Sequence, residues 1–214
     1  MSQVKLTADS GGGTVAIKGP ASTAGNLPIE LTLPGTASGT LAVGDTGKLL
    51  QVVSSTKTDA WSQTASTTAG TDIPGTDQSG SGSVFCVKIT PTKTDSKILF
   101  TTSITIGMAG GAAYVQAFMM RGSTVLLPST VGTGNSVNAT FGVSSTGSGY
   151  YTENMGFTYF DSNRPSGTSE LTYKVQLGKG DGSYAFYVNR PATLDNQPYN
   201  TCGSSTLTVM EVAA

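Results

Sequence analysis

Apolar residues alternate with polar ones along much of this chain, and glycine or proline interrupts the alternation at short intervals. A side-chain period of two is the pattern of a β-strand that buries one face, and Gly and Pro mark the turns between strands. From residue 83 onward, strand and turn patterns follow one another without interruption. Strong helix formers are scarce, so the sequence predicts an all-β protein.

Nine segments in the distal part of the chain are strand candidates, and the alternation predicts about eight strands in all. Their positions are residues 85–89, 98–106, 113–121, 125–127, 137–143, 150–160, 171–177, 184–188 and 207–212. Residues 121–123 have the composition of a short hairpin turn. A further strand is predicted at residues 48–54, and the polar, Gly-rich residues 64–82 are predicted to form a long surface loop. This number and spacing of strands favours a jelly-roll-like β-sandwich, with an immunoglobulin-like sandwich as the alternative.

The N-terminal part carries strand patterns at residues 4–8, 14–18 and 27–33 but too little apolar mass for a core of its own. Its apolar residues recur with period two. Those in the second and third patterns are Val15, Ile17, Leu27, Ile29, Leu31 and Leu33. Such strands are not stable alone in water, so we expect this segment to fold against copies of itself or a larger assembly. The predicted domains are a small β module at residues 1–45 and a distal β-sandwich at residues 46–214.

The charge composition disfavours several classes of protein. Lys and Arg number 12 and Asp and Glu number 13, which gives a net charge of -1. This balance lacks the basic patch that binds nucleic acid or an anionic membrane surface. No apolar run reaches the length of a spanning helix, and the N-terminus lacks a signal peptide's apolar stretch, so we expect synthesis in the cytoplasm without membrane insertion. Ser, Thr and Gly make up roughly 40% of the chain, yet regularly spaced Val, Ile, Leu and aromatic residues argue for packed sheets over disorder.

No set of residues suited to catalysis or metal binding emerges. The chain has no histidine, so acid–base catalysis would fall to carboxylates, and a glycosidase would need two of them on facing elements. The acidic residues are dispersed mostly in predicted loops and strand ends, where turn capping and surface solvation account for them. Cys86 and Cys202 are too far apart for a zinc knuckle and are expected as reduced, buried thiols. The sequence predicts no enzyme, no metal site and no cofactor.

Aromatic side chains are the best candidates for a binding surface. Tyrosine offers an apolar face and a polar tip, which suit both sugar rings and protein interfaces. Tyr150 and Tyr151 are adjacent on one predicted strand, so at least one should point away from the core. Residues 195–200 are predicted to form a distal tip loop. The predicted receptor or partner contacts are Trp61, Tyr150, Tyr151, Asp195, Asn196, Tyr199 and Asn200. The alternative for an exposed tyrosine is packing at a subunit interface.

Two predicted strands, at residues 114–120 and 155–160, carry apolar or aromatic residues on both faces. A strand of a sandwich needs only one apolar face. We therefore expect the outer face of one sheet to be buried against neighbouring subunits, as when jelly rolls assemble around a threefold axis. The residues alone also allow a dimer or a pentamer.

Four segments resemble a known family in their order along the chain. SGGGTVAIKGPAST, followed by the ending LTLP, resembles the N-terminal modules of tail-fibre and other virion surface proteins of tailed bacteriophages, notably those that infect marine bacteria. GKLLQVVSSTKTDAWS, ITPTKTDSKILF and STLTVMEVA resemble the β-rich distal domain of such proteins. The resemblance implies a homotrimeric fibre or spike on the exterior of the virion that attaches through its N-terminus and presents its sandwich outward for host adsorption. The implied partners are its own copies, other tail or capsid proteins, and host surface glycans.

The chain has no long fibrous shaft between its two parts, so other roles stay open. A capsid decoration or cement protein that stabilises the head is the alternative within the virion. A stand-alone carbohydrate-binding module, in which Trp61 and the tyrosines form a sugar platform, is the alternative of another class. A polysaccharide depolymerase is the third.

Overall fold

The computed structural model describes residues 3–7, 14–18, 47–64, 67–109, 113–134, 136–145, 149–179 and 185–214. The chain divides into two compact units, Met1–Val43 and Gly44–Ala214. All regular elements in the described part are β-strands, so the predicted all-β class is confirmed. A helix long and apolar enough to cross a membrane does not occur among these residues.

The described part of the first unit is one antiparallel pair of strands. β1 (Gln3–Thr7) pairs with β2 (Thr14–Lys18), with Gln3 opposite Lys18 and Thr7 opposite Thr14. These strands match the patterns predicted at residues 4–8 and 14–18. The third pattern, with Leu27, Ile29, Leu31 and Leu33, lies outside the described residues.

The second unit contains twelve strands within its described residues. In chain order they are β3 (Leu49–Lys57), β4 (Trp61–Gln63), β5 (Thr67–Asp72), β6 (Cys86–Ile89), β7 (Lys97–Met108), β8 (Ala113–Arg121), β9 (Thr124–Leu126), β10 (Phe141–Ser145), β11 (Thr152–Asp161), β12 (Leu171–Lys179), β13 (Phe186–Val188) and β14 (Ser205–Val212).

These strands form two antiparallel sheets. In sheet I the strand order is β3–β14–β7–β11. Beyond the end of β14, β13 also pairs with β7, and β4 pairs with β13 beyond the end of β3. In sheet II, β5 and β6 pair with β12, which pairs with β8, and β8 pairs with β9 and β10. Four pairs of segments lie in line and each can be counted as one strand, namely β3 with β4, β5 with β6, β9 with β10, and β13 with β14. The eight strands that result, numbered in chain order, then follow one another as 1-8-3-6 across sheet I and as 2-7-4-5 across sheet II. Eight strands in this order make a jelly roll, which confirms the predicted jelly-roll-like sandwich.

The hydrophobic core lies between the two sheets. Burial alternates along β7 and β14, as expected for strands with one face inward. The largest fully buried side chains are Tyr173, Phe85, Phe100, Phe186, Ile73, Ile89, Ile98, Ile104, Ile106, Met119, Leu177 and Leu207. The rings of Phe100 and Tyr173 meet across the core with centroids 5.3 Å apart.

The predicted surface loop at residues 64–82 is wrong in part, because it contains β5. This strand has no apolar alternation. Backbone pairing with β12 and the carboxylate of Asp72, which accepts hydrogen bonds at 2.8 Å from both Lys174 and Gln176, hold it in sheet II. β4 was also missed, since three residues are too few to establish a period.

Part of the apolar excess predicted at subunit interfaces is buried within the chain. Phe118 and Met120 alternate with core residues of β8, yet they are only 6% and 4% exposed. The Phe118 ring lies over Gly70, where a β-carbon would come within 2.9 Å of the ring. Gly70 has a φ of +74°, a conformation that glycine adopts without strain. These two side chains therefore need no neighbouring subunit to cover them.

The cysteines behave differently from each other. Cys86 is buried in β6, as predicted, and Cys202 is exposed. Both are free thiols. The expected burial of Cys202 is wrong, because this residue lies in a loop between β13 and β14 rather than in a strand.

Three acidic residues expected at the surface are buried instead, namely Asp77, Asp161 and Glu211. Asp161 is 1% exposed and accepts hydrogen bonds from Tyr173, at 2.8 Å, and from Arg121. It lies on sheet I while both partners lie on sheet II, so it joins the sheets. Glu211 is fully buried in β14. The capping role expected of the acids is seen at Asp77, which accepts from the backbone amides of residues 79 and 81.

Glu211 fastens the last strand to the loop before β7. Its carboxylate accepts hydrogen bonds from the amides of Thr92 and Lys93, the hydroxyls of Thr92 and Ser96, and the side-chain amide of Gln51, at 2.6 to 3.1 Å. Burial raises the pKa of Glu211, but these hydrogen bonds stabilise the charged form more strongly and lower the pKa from 4.5 to about 2.

We expect Glu211→Gln to destabilise the protein by roughly 3 kcal/mol at pH 7. A carboxyl group with a lowered pKa in the folded state contributes stability above its unfolded pKa of 4.5, and that contribution is lost as pH falls towards about 2. The difference between wild type and variant should therefore shrink over this pH range in chemical denaturation. Glu153→Gln, at an exposed position of β11, is the matched control and should change stability by less than about 0.5 kcal/mol. A difference that stays constant between pH 7 and 3 would contradict the assignment.

Candidate functional site

The predicted tip loop belongs to a longer loop inserted into the last strand of sheet I. β13 ends at Val188 and β14 begins at Ser205, and both pair with β7. We call residues 190–204 the tip loop. The chain enters the tip loop from β13 and returns to β14, and both strands lie beside β7. The two strands therefore fix the position of both ends of the loop.

Asn189 closes the base of the tip loop. Its side-chain amide donates to the carbonyl oxygens of Lys57, at 2.9 Å, and Asp59, at 3.0 Å, and its side-chain oxygen accepts from the Ser205 hydroxyl at 2.6 Å. The Asn189 amide donates to Thr105 O at 2.9 Å. Asn189 is 2% exposed and has a φ of 65°, a left-handed conformation that Asn tolerates better than most residues. The base of the loop is thus a fully bonded, buried junction.

Gly107 of β7 allows the start of the tip loop to lie against the sheet. A β-carbon at this position would come within 2.2 Å of the Arg190 carbonyl oxygen. The guanidinium of Arg190 lies over the ring of Tyr187, 4.4 Å from its centroid. This cation–π contact directs the basic group of Arg190 onto β13.

Hydrogen bonds within the tip loop fold the predicted residues 195–200 into a compact turn. The Tyr199 hydroxyl donates to the Asp195 carboxylate at 3.0 Å, and the Asp195 amide donates to the Asn200 side-chain oxygen at 2.9 Å. The Asn200 amide donates to Gln197 O at 3.0 Å. Asn196 has a φ of 60°. Asp195, Asn196, Tyr199 and Asn200 therefore lie together, as the sequence predicted only from their adjacency.

The segment before β11 packs against the tip loop. The rings of Tyr150 and Tyr199 meet edge to face, with centroids 5.5 Å apart. The Thr193 amide donates to Gly149 O at 2.9 Å. Tyr150 and Tyr151 precede β11 rather than lying in it, and they are 38% and 65% exposed. The expectation that at least one of them points away from the core is met by both.

The three tyrosines form one exposed cluster. Tyr199 is 48% exposed. Desolvation, the hydrogen bond to Asp195 and the nearby charges of Asp195, Tyr150 and Tyr151 raise the pKa of Tyr199. We call Tyr150, Tyr151 and Tyr199 the tyrosine cluster.

A shallow depression of about 600 Å³ lies in the tip loop. Its lining combines amide side chains with apolar ones. These residues are Leu194, Asn196, Gln197, Pro198 and Asn200. Leu194, which is 50% exposed, was not predicted as a contact, because a single apolar residue in a loop carries no periodic signal.

Trp61 occupies a different environment from the tyrosine cluster. It lies in β4 opposite Val188, and its ring packs edge to face on Phe186, with centroids 5.6 Å apart. Trp61 is half-buried against the core. Its main contact is therefore with the core.

The outer face of sheet I carries a second candidate surface. Cross-strand partners lie on the same face of a sheet, and the register places an apolar row across four strands. The row is Val52, Met210, Leu99 and Phe160. Val52 and Phe160, at its two ends, are 50% and 46% exposed.

Two rows of small, mostly hydroxyl-bearing residues lie beside the apolar row. The first is Ser54, Thr208, Thr101 and Thr158, and the second is Thr56, Thr206, Ser103 and Gly156. Hydrogen bonds join Ser54 to Thr208 at 2.9 Å and Thr101 to Thr158 at 3.3 Å. The twelve residues of the three rows, which we call the outer face, carry no charge.

The predicted N-terminal contacts are described only in part. Val15 and Ile17 lie in β2, opposite Leu6 and Val4. Leu27, Ile29, Leu31 and Leu33 lie outside the described residues. No group of three or more metal-ligating side chains occurs in the part of the chain that the structure describes.

One exposed loop was not singled out from the sequence. Leu127, just after β9, is 52% exposed with a φ of 48°, and Val131 is 84% exposed. A left-handed conformation is costly for a bulky residue such as leucine. The signal in the sequence was the presence of Leu127 and Val131 close to Pro128. That composition also occurs in an ordinary turn.

Neither a protein-family model nor a curated protein sequence matches the chain. Among solved structures, the chain is similar to one in the structure of infectious bursal disease virus Gx strain, with a TM-score of 0.38 and 15% identity over 99% of this chain and 47% of that one. A chain from the Gt strain gives a TM-score of 0.37 and 14% identity over 94% of this chain and 45% of that one. The chain spans about half the length of these neighbours, and its jelly-roll assignment rests on its own strand order.

Substitutions at Asn189 test the base of the tip loop. We expect Asn189→Ala to destabilise the protein by roughly 3 kcal/mol, because buried partners lose hydrogen bonds and alanine is strained at positive φ. Asn189→Gly loses the same bonds without that strain and should be more stable than the alanine variant by about 1 kcal/mol. Chemical denaturation measures both values. Hydrogen exchange of residues 190–204 should be faster in both variants, and unchanged exchange would contradict the role of Asn189.

Proposed function

We propose that this chain is a non-enzymatic virion structural protein, a homotrimeric surface fibre or spike of a tailed phage. In this proposal the N-terminal unit attaches to the particle and the jelly roll faces outward for host adsorption. The jelly roll supports a virion role because this architecture recurs in viral capsid and lectin domains, an argument by analogy of fold. The segment resemblance to phage surface proteins supports the same assignment.

The observation that carries self-association is the outer face. Its apolar row crosses the whole sheet, and its twelve residues lack charges that would repel a second copy. With strands about 4.8 Å apart and rows about 6.8 Å apart, the outer face covers roughly 400 Å². A stable interface buries about 800 Å² per partner. The rest of the trimer contact is assigned to the N-terminal unit, whose strands need a partner to be stable.

Charge placed in the apolar row should weaken the trimer. We expect the full chain to have a trimeric mass by light scattering and native mass spectrometry, and Leu99→Glu to weaken its association at least about tenfold, because the new carboxylate would be desolvated in the interface. Tyr114→Glu, at a residue on sheet II that is 52% exposed, is the matched control and should leave the mass unchanged. A wild-type chain that stays monomeric at high concentration would contradict this part of the proposal.

The location on the virion separates the fibre or spike from a capsid decoration protein. The exposed Leu127 and Val131 favour the second role, since exposed apolar side chains mark a contact with another protein, and a decoration protein has such neighbours on the head. We expect quantitative mass spectrometry of purified particles to find a few dozen copies or fewer, with electron microscopy of a tagged chain placing it on the tail. Hundreds of copies on the head would overturn the fibre assignment in favour of decoration.

A further inference from the structure

The tip combines exposed aromatic rings with an amide-lined depression. The tyrosine cluster exposes three rings at the surface, whereas most aromatic side chains of a domain are buried. The depression beside Tyr199 presents Asn196, Gln197 and Asn200. The side-chain amides of Asn196 and Gln197 are exposed and can donate and accept hydrogen bonds. The side-chain oxygen of Asn200 already accepts from the Asp195 backbone amide. Sugars present the complementary surfaces, namely ring faces made of C–H groups and hydroxyls that both donate and accept.

The tip is held in shape before any ligand arrives. Asn189 bonds its base, the Tyr199–Asp195 hydrogen bond closes its turn, and Gly149 accepts from Thr193. A site that is already ordered avoids the entropy cost of ordering on binding. This matters for a shallow site, where few contacts are available to offset that cost.

The charge of the tip limits the class of ligand. Residues 190–204 include one basic residue, Arg190, whose guanidinium lies over Tyr187, and one acidic residue, Asp195. Anionic ligands such as phosphates and sulfated sugars are normally bound by Arg or Lys. A carboxylate beside amides instead suits the hydroxyl groups of an uncharged sugar, which can donate to it.

We propose that the tyrosine cluster and the adjoining depression bind a neutral saccharide of the host surface. Tyr150, Tyr151 and Tyr199 supply the rings on which a sugar packs, and the exposed side chains of Asp195, Asn196 and Gln197 bond its hydroxyls. This site deepens the adsorption role proposed above and rests on it. A free polysaccharide and the glycan part of a surface lipid share this chemistry.

Binding of neutral sugars by the full chain tests the site. The probes are the methyl glycosides of glucose, galactose, mannose and N-acetylglucosamine and a panel of neutral oligosaccharides, followed by saturation-transfer NMR and titration calorimetry. We expect at least one neutral probe to bind with a Kd on the order of 1 mM, as is usual for a shallow, solvent-open site. Tyr150→Ala and Tyr199→Ala should each weaken binding at least about tenfold.

Control variants separate loss of the site from loss of the fold. Tyr114→Ala removes an equally exposed tyrosine from sheet II and should leave binding unchanged. Tyr151→Ala removes the most exposed ring of the cluster, so it should fold normally and still weaken binding. Thermal unfolding monitors the fold of every variant.

Three outcomes of the binding experiment would overturn the proposal. The first is that no neutral probe binds at about 10 mM, which is tenfold above the expected Kd. The second is that binding persists in the folded cluster variants, and the third is that only anionic sugars, offered beside the neutral probes, bind. A change in oligomeric mass in Tyr150→Ala without saccharide binding would likewise overturn it and identify the cluster as a subunit contact.

The source of the sugar and the role on the virion are tested separately. Soluble host polysaccharide and purified surface lipid are each offered as competitors of particle adsorption, and the effective competitor identifies the source. If the chain is absent from particles yet binds neutral sugars through the cluster, the proposed function fails and the site stands as a carbohydrate-binding module. If the chain lies on particles and binds no neutral sugar, the site fails alone.

Discussion

The insertion of β14 between β3 and β7 is the constraint on which the rest of the structure depends. β14 pairs with β3 and β7, so sheet I is complete only when the last strand of the chain has joined strands that are distant from it in sequence. Closure over so long a loop costs chain entropy before any contact repays it. The buried carboxylate of Glu211 and its five hydrogen bonds hold the far end of this strand in place.

The same strand position carries the candidate binding site. The tip loop is inserted between β13 and β14, and Asn189 ties its base to the strands on either side. The site is thus supported by rigid sheet rather than by a free loop, which is the usual way that a fold holds a binding loop in position. The outer face belongs to the same sheet, so closure of β14 also completes the surface proposed for self-association.

The sequence predicted most strands well and failed where side chains carry no period. β7, β12 and β14 followed from alternation, since each buries one face in the core. β5 did not, because small polar residues in a strand look like those in a loop and only its partners reveal it. The burial of Asp161 and Glu211 was missed for a related reason, as a carboxylate is tolerated inside only when donors distant in sequence converge on it.

What the sequence by itself determined is the all-β class, the approximate strands and the residue types of the tip. Alternation is a local property of the backbone, so it can be read without knowing what a strand pairs with. The tertiary structure decided which residues meet: Tyr150 with Tyr199 at the tip, and Val52, Met210, Leu99 and Phe160 in one row. These neighbours depend on strand order and register, which are set by closure of the jelly roll around one core and not by any segment alone.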